Sequence, residues 1–193
     1  MFEFHKKLLK VCLTIIFLIV GTSAFSQEWN SARLSLLNGG NIPFNFNSLE
    51  KIRNGIEIAN GIKFGITMTD NNVPGFELQG FVLNFRAFNN QTNLQGDVNT
   101  LPLNRIRVKA ENSRGLESGF SYGYTDLTSD WLPLFTFSNV SWTNLNWADH
   151  QIVISLDCGK PVSAGGNGSL MGEASDYYQV EIEFELVPTG PGF

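Results

Sequence analysis

The segment Tyr178–Val187 constrains this chain more than any other, because its side chains alternate between apolar and polar from Tyr178 to Leu186. Tyr178, Val180, Ile182, Phe184 and Leu186 fall on one face of an extended strand, and Glu181, Glu183 and Glu185 on the other. A strand that is greasy on one side and charged on the other belongs to an antiparallel sheet with one face packed on a second layer. The same period of two predicts strands at Arg33–Leu37, Ile42–Phe46, Phe76–Phe88 with a bulge at Gly80, Ile106–Ala110, Leu132–Phe137 and Gln151–Asp157. With only 16% charged and 42% apolar residues and turn-forming Asn throughout, the pattern predicts an all-β fold. Its expected form is an antiparallel β-sandwich, immunoglobulin-like or jelly-roll, in one domain.

Residues 1–26 read as processing rather than fold. Lys6, Lys7 and Lys10 precede the apolar run Val11–Val20, and Ala24 and Ser26 flank Phe25. That is the layout of a secretory signal peptide with cleavage before Gln27. The run is too short for an ordinary spanning helix, and no later stretch replaces it. The expected product is residues 27–193, secreted, periplasmic or on the outer surface, without a transmembrane segment. It carries 10 basic residues (13 less the three lysines) against 17 acidic ones (18 less Glu3), a net charge of −7. Such a balance argues against nucleic acid as a partner.

Of two cysteines, Cys12 lies in the leader and Cys158 stands alone. No internal disulfide forms, so stability must come from the core. A lone cysteine in a strand reads as a small buried hydrophobe, with a reactive thiol or an intermolecular link as the rival.

Three local expectations are specific. Asn47-Ser48-Leu49-Glu50 and Asn54-Gly55 bracket a short helix over residues 48–53. Around Asn60-Gly61, a three-residue loop with Gly61 left-handed brings Ile58 opposite Ile62 and Ile56 opposite Phe64, which predicts a bulged hairpin. The Gly-rich stretch Gly159–Gly172 reads as an exposed loop between two strong strands.

Arg105, Arg107 and Lys109 alternate with Ile106, Val108 and Ala110, so three cations line one strand as three glutamates line another. Adjacent strands would join these rows in a cross-strand ladder. Rows on separate molecules would instead guide assembly, and the plainest alternative is two unrelated solvated faces.

Chemistry-bearing motifs are sparse. His150 is the one histidine after residue 26, which disfavours zinc with His and Cys ligands, and no cofactor fingerprint is present. Asp126, Asp130, Asp149 and Asp157 could supply paired acids for glycoside hydrolysis, where spatial separation decides the mechanism. Asp126-Leu127-Thr128-Ser129-Asp130 lacks the dense oxygen ligands of a calcium loop. Trp131, Trp142 and Trp147, with Tyr122 and Tyr124, form the stronger lead: flat rings beside amides stack on sugars and bond their hydroxyls. The competing reading is that these rings fill or cap the core.

The leader, the sandwich-sized remainder, the Asn/Gly/Thr-rich loops and the terminal strand Tyr177–Leu186 together resemble pilin-like surface-fibre subunits and adhesin-like proteins of Gram-negative bacteria. The resemblance implies a surface role in adhesion or assembly. It departs from the pilin pattern in lacking a cysteine pair and in the shortness of Ser31–Leu37 as a donor strand. The reading reached from sequence is an exported, non-enzymatic β-sandwich without cofactor, acting through protein partners or self-association. A carbohydrate-binding module is the alternative and a glycoside hydrolase-like enzyme the third.

Overall fold

The computed structural model describes residues 31–69, 78–114, 123–138, 144–145 and 150–191. Residues 1–26, expected to form a leader, lie outside them, as do Tyr122, Trp142, Trp147, Asp149 and the first residues of the strand expected from Phe76. The described chain is all-β and antiparallel, with one short helix. Its strands are β1 (Ser31–Asn38), β2 (Ile56–Thr69), β3 (Gly80–Ala87), β4 (Asn93–Gln95), β5 (Thr100–Pro102) and β6 (Ile106–Arg114). They continue with β7 (Thr125–Asp126), β8 (Leu132–Ser138), β9 (Asn144–Leu145), β10 (Gln151–Cys158) and β11 (Ile182–Thr189).

Two sheets face each other. The larger runs β1-β2-β10-β6-β7, with β9 pairing the far end of β2, and the smaller runs β11-β3-β8. Alternation sends Phe64, Ile66 and Met68 of β2, Val108 and Ala110 of β6, and Ile152, Ile154 and Leu156 of β10 inward from one sheet. Phe81, Leu83, Phe85, Phe135 and Phe137 enter from the other, and Phe64 meets Phe184 edge to face across the gap at 5.1 Å. The apolar face read in the terminal segment holds: Tyr178, Val180, Ile182, Phe184 and Leu186 all pack on this core, although regular pairing starts only at Ile182.

The expected helix forms as α1 (Leu49–Asn54), with Ser48 as N-cap and its Oγ accepting the Lys51 amide at 3.2 Å. Gly55 ends it. Glu50 lies one position short of the reciprocal capping contact, which needs the acid at N3.

Three expectations are corrected. No hairpin forms at Asn60-Gly61: β2 runs straight through, with Ile58 opposite Leu156 and Ile62 opposite Ile154. Ala59, Asn60 and Gly61 bulge against Ser155 alone; Asn60, not Gly61, is left-handed (φ 53°), and its amide donates to Ser155 Oγ at 3.0 Å. The long partner β10 pairs with β2 on both sides of the dipeptide, so the chain continues instead of reversing. Residues 42–46 keep their alternation, since Ile42, Phe44 and Phe46 pack on the core, yet they enter no ladder. Pro43 has no amide to donate to one. Gly80 pairs in register with Thr189 and Ser138; the bulge in that sheet lies on β8, opposite Leu83 and Asn84.

Cys158 is buried, and burial pushes its thiol up to about 12, as for an inert core residue. No helix among the described residues is long and apolar enough to cross a membrane.

Candidate functional site

With Ile106, Val108 and Ala110 turned to the core, Arg107 and Lys109 must project from the outer face of the larger sheet. Register then builds a charged row across four strands: Glu57 of β2, Asp157 of β10, Arg107 of β6 and Asp126 of β7 stand side by side. At its centre, Arg107 Nε and Nη2 donate to the two carboxylate oxygens of Asp157 at 3.0 and 2.5 Å, a bidentate pair in which Asp157 is 1% exposed. Arg107 Nη1 donates to the Gly165 carbonyl. Asp157 holds the guanidinium's proton affinity above its ordinary value.

The Gly-rich loop lies over this row. Arg105 Nη1 donates to the Asn167 carbonyl at 2.8 Å and Nη2 to Glu173 at 2.6 Å, while Asn167 Nδ2 donates to Asp126 at 2.5 Å. Gly168 N–H bonds the Lys160 carbonyl at 3.0 Å and closes the loop on itself. The loop read as merely exposed is therefore fastened to the sheet by its own backbone carbonyls.

Tyr124 completes the cluster. Arg107, Lys109 and Lys160 lie 5.1, 5.2 and 5.8 Å from its ring centroid, within cation–π range. Burial first, and then the Glu57 carboxylate, push its phenol well above the usual range. Lys160, 3.0 Å from Glu57, and the Tyr124 hydroxyl together lower the Glu57 carboxyl. Each cation of the cluster faces an acid, Lys109 meeting Glu111 at 3.2 Å. Chemically the arrangement is a neutralised clamp.

The ladder that adjacent strands would have formed between the cations and Glu181, Glu183 and Glu185 does not form within the chain, because β6 and β11 belong to different sheets. Arg107 is also buried rather than solvated. Glu183 instead pairs with Arg86 of β3 at 2.9 Å, and Arg86 covers the Trp131 ring at 4.3 Å. Glu181 and Glu185 are exposed. Of the five aromatic candidates, the two described ones are separated: Tyr124 lies on the outer face of the larger sheet and Trp131 on that of the smaller, each under cations of its own chain. Asp126 and Asp157 come together only around Arg107, and Asp130 lies away in the turn before β8, its carbonyl accepting from Thr128. Among the described residues no group of three His, Cys, Asp or Glu side chains is placed to hold a metal ion.

Sequence reasoning missed Asp176. The four-residue turn Gly96–Asn99 between β4 and β5 aims backbone amides at its carboxylate: Val98 at 2.9 Å, Asn99 at 2.7 Å and Asp97 at 3.1 Å, with Tyr177 at 2.8 Å. The Val98 amide and then the Asn99 amide hold this carboxyl far below the ordinary aspartate range. Folding thus binds fewer protons here than the unfolded chain does. The contribution is complete above the usual aspartate value of about 4 and is lost as pH falls below it, towards the folded value. Amide exchange at Val98 and Asn99, corrected for intrinsic rates, is expected to lose protection progressively below that pH. Asp176→Ala should remove the protection at every pH, and unchanged exchange in that variant would contradict the anchoring role. The one signal in the sequence was the turn composition itself, which names a nest but not the anion that fills it.

No protein-family model matches this chain, and no curated protein sequence matches it.

Proposed function

We propose that this protein is exported and works as a non-enzymatic, structural or adhesive β-sandwich at the cell surface or in the periplasm, through protein contacts at its sheet edges. The observation that supports the reading is β1. Among the described residues this eight-residue strand pairs only with β2, leaving its other backbone edge open, and Leu36 on it is 57% exposed. A long edge strand with exposed leucines is a template for strand addition. Arg105, Arg107 and Lys109 are paired within the chain, so of the two charged rows the members exposed to a partner are Glu181 and Glu185.

The test is size-exclusion chromatography of the secreted product over a concentration series. Association that rises with concentration and is lost in Leu36→Lys supports the reading, since a lysine on an edge blocks pairing. A strict monomer throughout, joined by glycan-array binding that Trp142→Ala abolishes, would transfer the function to the carbohydrate-binding alternative.

A further inference from the structure

The chain contains four Asn-Gly pairs, at Asn38, Asn54, Asn60 and Asn167. An asparagine followed by glycine is open to attack on its own side chain, because the small neighbour lets its backbone nitrogen approach Cγ. Folding decides whether that approach survives. At Asn54 the Gly55 N–H is bound to the Lys51 carbonyl at 2.8 Å, inside the helix cap. At Asn167 the Gly168 N–H is bound to the Lys160 carbonyl at 3.0 Å, and the side-chain amide is held by Asp126 and the Asn104 carbonyl. Asn60 lies in the β2 bulge, with ladder pairs on both flanks. Asn38 differs from all three. It is exposed at the last position of β1, paired with Lys63 just beyond a slip in register at Leu37, and the Gly39 amide nitrogen lies 2.9 Å from Asn38 Oδ1, hydrogen-bonded to that oxygen.

We propose that Asn38 is a spontaneous modification site, deamidated by its own Gly39 amide while the pairs at Asn54 and Asn167 are protected by the fold. The Gly39 nitrogen loses its proton to solvent base and bonds to Asn38 Cγ. The Cγ–Nδ2 bond breaks, and the nitrogen leaves as ammonia with a proton from solvent. The five-membered succinimide then adds water and opens to aspartate or isoaspartate; nothing is oxidised or reduced. The product has a local structural consequence. Gly39 is left-handed (φ 80°), and a Cβ built on it would lie 2.2 Å from the Gly61 carbonyl oxygen, so its backbone is wedged against β2. An isoaspartate adds a backbone atom beside this wedge, and either product adds a negative charge at the end of the edge strand. The inference does not rest on the function proposed above.

The test is incubation of the purified protein at mildly alkaline pH, followed by peptide mapping with fragmentation to locate each amide-to-acid conversion. Conversion at Asn38 is expected to run about tenfold faster than at Asn54 and Asn167 in the folded protein, and to become comparable among the four in urea, where local protection is gone. Asn38→Gln, which enlarges the ring that must close, should abolish conversion at that position without disturbing the fold. Conversion at Asn38 no faster than at Asn54 and Asn167 overturns the proposal, as does an undiminished conversion in Asn38→Gln.

Discussion

Asp157→Ala is expected to destabilise the protein by about 3–5 kcal/mol, the range for removing one partner of a buried ion pair. The cost comes less from the lost attraction than from what stays behind. Arg107, 8% exposed, would keep a full charge with the Gly165 carbonyl, the Tyr124 ring and the neighbouring Asp126, but without its bidentate carboxylate. The more open pairs of the same cluster give the contrast: Lys160–Glu57 and the half-buried Lys109–Glu111 lie nearer the class worth about 0.2–1 kcal/mol each. A double replacement, Arg107→Met with Asp157→Leu, removes both charges and should recover most of the loss. Urea unfolding midpoints of the two variants decide the matter. A loss below about 1 kcal/mol in Asp157→Ala would mean that Arg107 escapes to water by lifting the loop. Limited proteolysis within residues 159–173 reads that opening directly.

This clamp was half legible. Alternation around Ile106, Val108 and Ala110 correctly places the neighbouring cations on the outer face, since a strand's period leaves no other choice. It says nothing about who stands opposite. The partner of Arg107 is fixed by β10 falling between β2 and β6, a pairing of residues 50 apart. The carbonyl ligands of Arg105 and Arg107 carry no sequence signal, because every residue has one. The grouping of Tyr124 with Trp131 came apart for a different reason: they are near in sequence, but the chain crosses from one sheet to the other between β7 and β8.

The same division runs through the fold. Every alternating segment from Arg33, Ile106, Leu132 and Gln151 lies in a strand, because facing is a local property. Asn60-Gly61 shows the limit, since the dipeptide favours a left-handed residue but not a reversal of direction, and a 14-residue strand used the left-handed Asn60 for a bulge. The three-residue strands β4 and β5 are too short to show any period, and they are held by Asp176 from a distant segment.

Phe81→Ala tests the other half of the stability, the aromatic seam of the smaller sheet. Phe81 is fully buried, edge-on to Phe135 at 5.3 Å and stacked on Phe137 at 5.6 Å. Truncating a buried phenylalanine costs about 3–5 kcal/mol, and the position within that range depends on how far the surroundings relax into the hole. Here relaxation is blocked on one side. Gly80 brings β3 so close to β8 that a Cβ there would lie 2.0 Å from the Phe137 carbonyl oxygen, so the two backbones cannot move closer to fill the void. The loss is therefore expected near the upper end of the range, read as a shift in urea midpoint with an unchanged slope. Tyr177→Ala, at a ring 75% exposed, should stay within about 0.5 kcal/mol of the parent. If Phe81→Ala instead lost less than about 1.5 kcal/mol, Phe135 and Phe137 would have to repack into the vacated space. The close approach at Gly80 would then not be the rigid joint that its geometry implies.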